Sequence, residues 1–214
     1  MSHDGILPAM ILTYHSGACI RASAGDTALV FGPVSKASTQ FKPTNFGADV
    51  AFLPANNVDM NGSEEAGRGE KQPFVIFGAG EYEVSGVAAH GFPTATAYGG
   101  NTLNTVYHVD FDGLSVLYMG VCGSLELPAE LLEMDAPDVL IVPIGDAGAL
   151  SAADAHKLAV KLEAKIVIPV LYDDKSLKQF LKEAGQDGVK PVEKLTIKSK
   201  DVAEKQNEVV VLSC

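Results

Sequence analysis

A short polar loop after the apolar residues 50–53 carries most of the side chains that could take part in chemistry. It contains Asn56, Asn57, Asp59 and Asn61, whose amides and single carboxylate could hydrogen-bond to a small polar ligand. Cys122 adds a thiol, which is either a reactive group or a buried and inert side chain. We take these five residues as a candidate pocket. The alternative is that the asparagines and Asp59 only shape a turn.

Histidines, which many catalytic and metal sites need, are few and scattered. Residues 16–89 contain none, and His15, His90, His108 and His156 do not cluster by spacing. His90 has the best case for a function among them, although we expect it merely to end a strand. No histidine pair is therefore available to the polar loop, and the sequence predicts no metal ligand there.

The elements that must position these residues change character along the chain. The first half has the pattern of strands and turns, whereas the second half alternates apolar strands with helices. Asp112-Gly113 predicts a type I′ hairpin, and Ser151 with Asp154 resembles a capping box. The expected strands are 11–14, 18–23, 28–31, 49–53, 74–77, 82–92 (interrupted by glycines), 105–111, 114–119, 138–143, 165–170, 194–198 and 208–212. The expected helices are 128–134, one after Ser151, and 175–184 ending at Gly185.

The order of these elements, without a linker-like break, indicates one packed α/β (α+β) domain over residues 1–214. Of the 214 residues, 47% are hydrophobic and 20% charged, which favours a folded core over disorder. A formal net charge of -11 argues against nucleic acid and against anionic membrane surfaces, since both require basic side chains. We therefore expect neither as a partner.

Cysteine usage and the N-terminus favour the cytoplasm. Cys19, Cys122 and Cys214 are odd in number and far apart, which suits reduced thiols better than a disulfide framework. Residues 1–5 lack the basic region of a secretory signal.

Several segments together resemble the metallo-β-lactamase superfamily, and within it the small metal-dependent hydrolases related to L-ascorbate-6-phosphate lactonase. The resemblance covers nearly the whole chain, and it implies a four-layer αββα sandwich of two mixed sheets with metals at one edge between them. The segments that carry it are Cys19-Ile20-Arg21, residues 48–53, residues 80–87, residues 104–107, Tyr118-Met119-Gly120, residues 137–145 and residues 166–169.

The same resemblance implies a set of metal-ligand positions that this chain fills with other residues. The family pattern His-x-His-x-Asp-His falls on Ala55, Asn57, Asp59 and Met60, so only Asp59 matches. A bridging aspartate falls on Val121, and a final histidine falls on Leu171. Another family histidine has no counterpart near residues 94–96, and the early Gly-His-Ser-Cys pattern reads Ser16-Gly17-Ala18-Cys19. Ala, Val and Leu carry no donor atom, and Met sulfur is too soft for such a site.

Three functions are compatible with this pattern. The first is a non-catalytic member of the family, without a cofactor, that binds a small polar ligand or acts as a scaffold. The second is a hydrolase of a small ester, lactone or phosphate-containing substrate with altered or single-metal chemistry, which alone would need zinc or manganese. The third is a structural subunit in an oligomer, with a homo-oligomer implied by resemblance.

Overall fold

The computed structural model describes residues 9–145 and 147–214, and within them the chain forms thirteen strands and four α-helices. The strands are β1 (Met10–Ser16), β2 (Cys19–Ala24), β3 (Thr27–Phe31), β4 (Val50–Leu53), β5 (Phe74–Phe77), β6 (Gly80–Val84), β7 (Val87–Ala95), β8 (Leu103–Phe111), β9 (Leu114–Tyr118), β10 (Val139–Pro143), β11 (Ile166–Val170), β12 (Leu195–Ile197) and β13 (Glu208–Val209). The helices are α1 (Ala129–Leu132), α2 (Ala152–Lys161), α3 (Asp174–Glu183) and α4 (Ser199–Val202).

The strands form two mixed sheets that pack face to face. The first sheet has the order β12-β1-β2-β3-β4-β5, and the second has the order β13-β11-β10-β9-β8-β7-β6. Their inner faces share one apolar core, in which Phe31 stacks on Phe52 at 4.8 Å between ring centroids and Phe52 meets Tyr107 at 5.3 Å. This arrangement confirms the expected fold of two mixed sheets with flanking helices.

The outer faces of the two sheets are covered differently. Helices α1, α2 and α3 pack on the second sheet, where Leu158 and Phe180 join the side chains of β10 and β11. Both of these strands are buried on both faces, as their continuous apolar sequence predicts. The first sheet is covered instead by the 3₁₀ helix Ser63–Ala66 and by loop residues such as Val34 and Phe46. No helix within the described ranges is long and apolar enough to cross a lipid bilayer.

Local signals set several element boundaries as expected. Asp112 and Gly113 have positive φ values of 53° and 72°, as a type I′ turn between β8 and β9 requires. The Ser151 hydroxyl accepts a hydrogen bond from the Asp154 amide at 3.2 Å and caps α2. Gly185, with φ of 65°, follows the end of α3.

Two predictions about the strands were wrong. Residues 82–92 do not form one interrupted strand, because Ser85-Gly86 make a tight turn with φ values of 53° and 74° and separate β6 from β7. His90 therefore lies in the middle of β7, directly opposite His108 on β8, and does not end a strand. After the expected strand 194–198, the chain also forms the short helix α4.

Gly120 lies just after the end of β9, at a position where no side chain fits. Its φ is 59°, and a Cβ added there would overlap Pro54 and the Asn104 side chain. Gly113 has a similar φ but open space around it. A comparison of alanine substitutions at the two glycines therefore separates the cost of backbone strain from the cost of overpacking.

We predict that Gly120→Ala lowers the free energy of unfolding by about 2–4 kcal/mol, since it adds overpacking to the strain of positive φ. Gly113→Ala carries only the strain and should cost about 1 kcal/mol. Urea unfolding of both variants measures the difference. Equal losses of unfolding free energy in the two variants would show that Pro54 and Asn104 do not crowd Gly120.

Candidate functional site

Buried apolar side chains fill the region where the resemblance places the metal centre. Ala55, Met60, Tyr98, Val121 and Leu171 form one cluster, and each is at most 8% exposed. We call this cluster the apolar plug. All of its members except Tyr98 occupy positions that the resemblance assigns to metal ligands, so the fold does bring these distant positions together.

The plug is built where strands end. Ala55 follows β4, Val121 follows β9, and Leu171 follows β11. Strands β9, β10 and β11 are parallel, so their carboxyl ends share one edge, where α/β folds commonly bind ligands. Here that edge is closed by packing, and Phe41 and Ala149 cover it further.

Leu171 holds a backbone conformation that favours glycine. Its φ is 55°, which costs a non-glycine residue on the order of 1–2 kcal/mol. Its amide donates to the Gly17 carbonyl at 2.8 Å, and Gly145 lies so close that a Cβ there would overlap the Leu171 carbonyl. The surrounding chain therefore fixes this backbone, although the Leu171 side chain supplies only packing.

A buried polar network holds the segment that carries Val121. The amide group of Asn104 donates to Thr94 Oγ1 at 2.9 Å and to the Met119 carbonyl at 3.0 Å, and its oxygen accepts from the Val121 amide at 2.9 Å. The Thr96 hydroxyl donates to the Val121 carbonyl at 2.5 Å. We assigned no role to these side chains from the sequence, because their partners are distant along the chain.

Asp59 is a buried carboxylate that the protein itself satisfies. One oxygen accepts from the Ser38 hydroxyl at 2.6 Å, and the other accepts from the Tyr98 hydroxyl at 3.0 Å and from the Gln40 amide at 3.4 Å. Burial, and then Asp59, raise the pKa of Tyr98, so its hydroxyl keeps its proton and remains a donor. Asp59 therefore joins the loop to two other segments.

The asparagines of the candidate pocket mainly shape the loop. Asn57 Oδ1 accepts from the Asp59 amide at 2.9 Å, which is the contact of an Asx turn. Asn61 donates to Asn56 Oδ1 at 3.1 Å, and Asn56 is exposed. These contacts stabilise the conformation of the loop, and the binding role of its side chains stays a prediction.

Cys122 lies beside the apolar plug but faces the neighbouring core. Its side chain packs in the cluster between the second sheet and its helices, and Sγ donates to the Ser124 carbonyl at 3.3 Å. Burial raises the pKa of the thiol, which therefore stays protonated at neutral pH. A protonated and buried thiol is a poor nucleophile.

The histidines lie elsewhere. His90 Nε2 is 3.3 Å from Glu81, on the outer face of the second sheet, and His108 is buried next to it in the sheet. Burial is the largest cause that lowers the pKa of His108. Asp110 raises this pKa, the neighbouring His90 lowers it, and Asp135 and Asp138 raise it. His156 lies on α2. None of these side chains is part of the apolar plug.

The residues present do not fit a two-metal centre. Four of the implied positions hold side chains that are apolar or bear only a soft thioether, and both oxygens of Asp59 already accept protein hydrogen bonds. Within residues 9–145 and 147–214, no three His, Cys, Asp or Glu side chains are grouped so that they could hold a metal ion.

Comparison with known proteins agrees with the fold. A family model described as the beta-lactamase superfamily domain matches residues 11–171. A structure described as a candidate Zn-dependent hydrolase of the metallo-beta-lactamase superfamily, from Thermotoga maritima, is similar over 95% of this chain and 98% of its own, with 24% identity and a TM-score of 0.71. Igni18, a metallo hydrolase from Ignicoccus hospitalis, is 19% identical over 89% of this chain and 99% of its own, with a TM-score of 0.62.

A further structure, of a candidate metal-dependent hydrolase from Parabacteroides distasonis, is 15% identical over 95% of this chain and 94% of its own, with a TM-score of 0.68. No curated protein matches the chain.

We predict that Asp59→Ala lowers the free energy of unfolding by about 2–4 kcal/mol, because the hydroxyls of Ser38 and Tyr98 lose a charged acceptor. Asn56→Ala removes only an exposed contact from the same loop and should change it by less than about 0.5 kcal/mol. Chemical denaturation measures both. An unchanged free energy of unfolding in Asp59→Ala would contradict the role of this carboxylate in holding the loop.

Proposed function

The chain belongs to the β-lactamase superfamily, and we propose that it is a non-catalytic member that acts as a binding or scaffold protein. The apolar plug carries this proposal. A two-metal hydrolase needs several imidazoles and carboxylates around an open coordination position that holds the attacking water. Here the corresponding positions hold Ala55, Met60, Val121 and Leu171, whose packing excludes water.

The alternative, a hydrolase with altered chemistry, draws little support from the same residues. Asp59 is engaged by two hydroxyls and buried, and the Cys122 thiol is buried and protonated. His90 pairs with Glu81 on another face of the molecule. These three residues therefore do not converge on one substrate position.

A scaffold role includes self-association, for which the edge of the first sheet is suited. Strand β5 forms that edge, and it exposes Phe74, Val75 and Phe77 by 53%, 42% and 54%. Monomeric proteins usually protect such an edge, because its free amides and carbonyls can pair with another strand. We propose that a second copy of the chain pairs there.

The three unpaired cysteines support a reducing compartment such as the cytoplasm.

Metal content tests the non-catalytic proposal. We expect protein purified without added metal or chelator to contain far less than one zinc, manganese or iron ion per chain by mass spectrometry. A variant with Ala55→His, Met60→His, Val121→Asp and Leu171→His restores donors at the same positions. If it folds, it should take up metal and serve as the positive control. Stoichiometric metal in the unmodified protein would contradict the proposal.

Light scattering tests self-association. We expect a mass above that of one 22.4 kDa chain, and we expect Phe77→Lys to shift it towards the monomer because it places a charge on the edge of β5. Val160→Lys, on the exposed surface of α2, is the matched control and should leave the mass unchanged. A monomer at all concentrations would rule out the homo-oligomer.

A further inference from the structure

Both arginines of the chain line one cavity on the outer side of the first sheet. The sequence has a formal net charge of -11 and only two arginines, Arg21 and Arg68. They come from segments 47 residues apart, yet they face the same cavity of about 350 Å³, together with Lys71. Arginine presents a planar fork of donors that matches phosphate and carboxylate oxygens, so this placement suggests an anion as the ligand.

Arg21 has a donor that the described part of the protein leaves without a partner. Its Nη1 donates to the Ser23 hydroxyl at 3.2 Å, and its guanidinium carbon lies 5.9 Å from the centre of the Phe46 ring. Its Nε is shielded from solvent and has no hydrogen-bond partner among residues 9–145 and 147–214. In a guanidinium Nε and Nη2 share one edge, and Ser23 occupies the other terminal nitrogen. Neither nitrogen of that edge has a protein partner in the described residues, so an oxyanion could form two parallel bonds with it once a small side-chain rotation turns Nε towards the cavity.

The carboxylate of Asp49, which lines the same cavity, makes its hydrogen bonds with residues other than Arg21. One oxygen of Asp49 is 2.6 Å from Lys71 Nζ, and the other accepts from the Ala28 amide at 2.9 Å. These contacts, with that of Lys71 the largest, lower the pKa of Asp49 and keep it ionised. Asp26 lines the cavity from an exposed turn. Three cationic side chains thus face two carboxylates, and one of these carboxylates is already paired with Lys71.

Arg68 is held in place by a close backbone contact. Its amide and carbonyl pair with those of Lys71 at 2.8 and 3.1 Å, which closes a tight turn. A Cβ on Gly47 would lie 2.8 Å from Arg68 Cβ and 2.9 Å from its Nε. Gly47 therefore lets the Arg68 side chain lie against its backbone at the rim of the cavity.

We propose that this cavity binds a small oxyanion, the phosphoryl or carboxylate group of a metabolite, with Arg21 as the two-bond donor and Arg68 as the second cation. The cavity lies at the amino-terminal ends of β3 and β4, beside Thr27 and Asp49. The apolar plug lies beyond the carboxyl end of β4. The two regions are at opposite ends of the same strands, so this site does not depend on the metal content of the protein.

Calorimetric titration with inorganic phosphate, and separately with malonate, tests the proposal at constant ionic strength. We expect saturable binding that Arg21→Gln weakens at least about tenfold, since the two-bond contact is lost. Arg21→Lys keeps the charge without the fork and should also weaken binding several-fold. Lys178→Gln makes the same charge change as Arg21→Gln at an exposed position on α3, and it should change affinity less than about twofold.

Saturation by phosphate alone assigns a phosphoryl ligand, and saturation by malonate alone assigns a carboxylate. Absence of saturable binding with both anions overturns the proposal, as does an equal loss in Arg21→Gln and Lys178→Gln. Thermal unfolding checks that each variant is folded. If Arg21→Gln does not fold, Arg68→Gln and Gly47→Ala take its place, because each removes or displaces the second cation, and unchanged affinity in both overturns the proposal.

Discussion

Apolar packing between the loops that follow β4, β9 and β11 is the interaction on which the rest of this site depends. The resemblance to the metallo-β-lactamase superfamily implies metal ligands at these positions, and such ligands would join the same loops through directional bonds. Here Met60, Val121 and Leu171 join them through burial, which contributes roughly 1.5–3 kcal/mol for each large side chain. Burial is not directional, so the polar contacts around the apolar plug must set the geometry.

Those polar contacts fix the positions of the segments that surround the apolar plug. Asn104 fixes the segment around Val121 with three hydrogen bonds, and Asp59 ties the polar loop to Ser38 and Tyr98. Leu171 keeps a positive φ that its own side chain does not require. The backbone at this edge of the sheet is therefore arranged as at a ligand-binding site, whereas its side chains pack as in a hydrophobic core. The oxyanion cavity at the other end of β3 and β4 is polar and open, which places binding chemistry away from the plug.

The sequence predicts much of the fold because its signals are local. The Asp112-Gly113 turn, the Ser151 cap and the apolar runs of β10 and β11 each depend on neighbouring residues. The tight turn at Ser85-Gly86 was missed, because a glycine inside an apolar run can equally mark a bulge.

The candidate site could not be predicted from local signals in the same way. Ala55, Met60, Val121 and Leu171 were located through the resemblance to a family, whereas their mutual packing is a tertiary fact. Tyr98 and Asn104 could not be assigned, because their hydrogen bonds reach partners 39 and 17 residues away. The paired arginines were also missed, since nothing local connects Arg21 to Arg68.

The most direct test of the central claim is the melting temperature of the protein after exhaustive chelation and again after addition of equimolar zinc. A ligand that binds only the native state raises the melting temperature by an amount that grows with its affinity and its free concentration. If apolar packing has replaced the metal centre, the two temperatures agree within about 1 °C, since there is no site whose occupation stabilises the fold. A rise of several degrees with zinc that Asp59→Asn abolishes would show a working metal centre and contradict the claim.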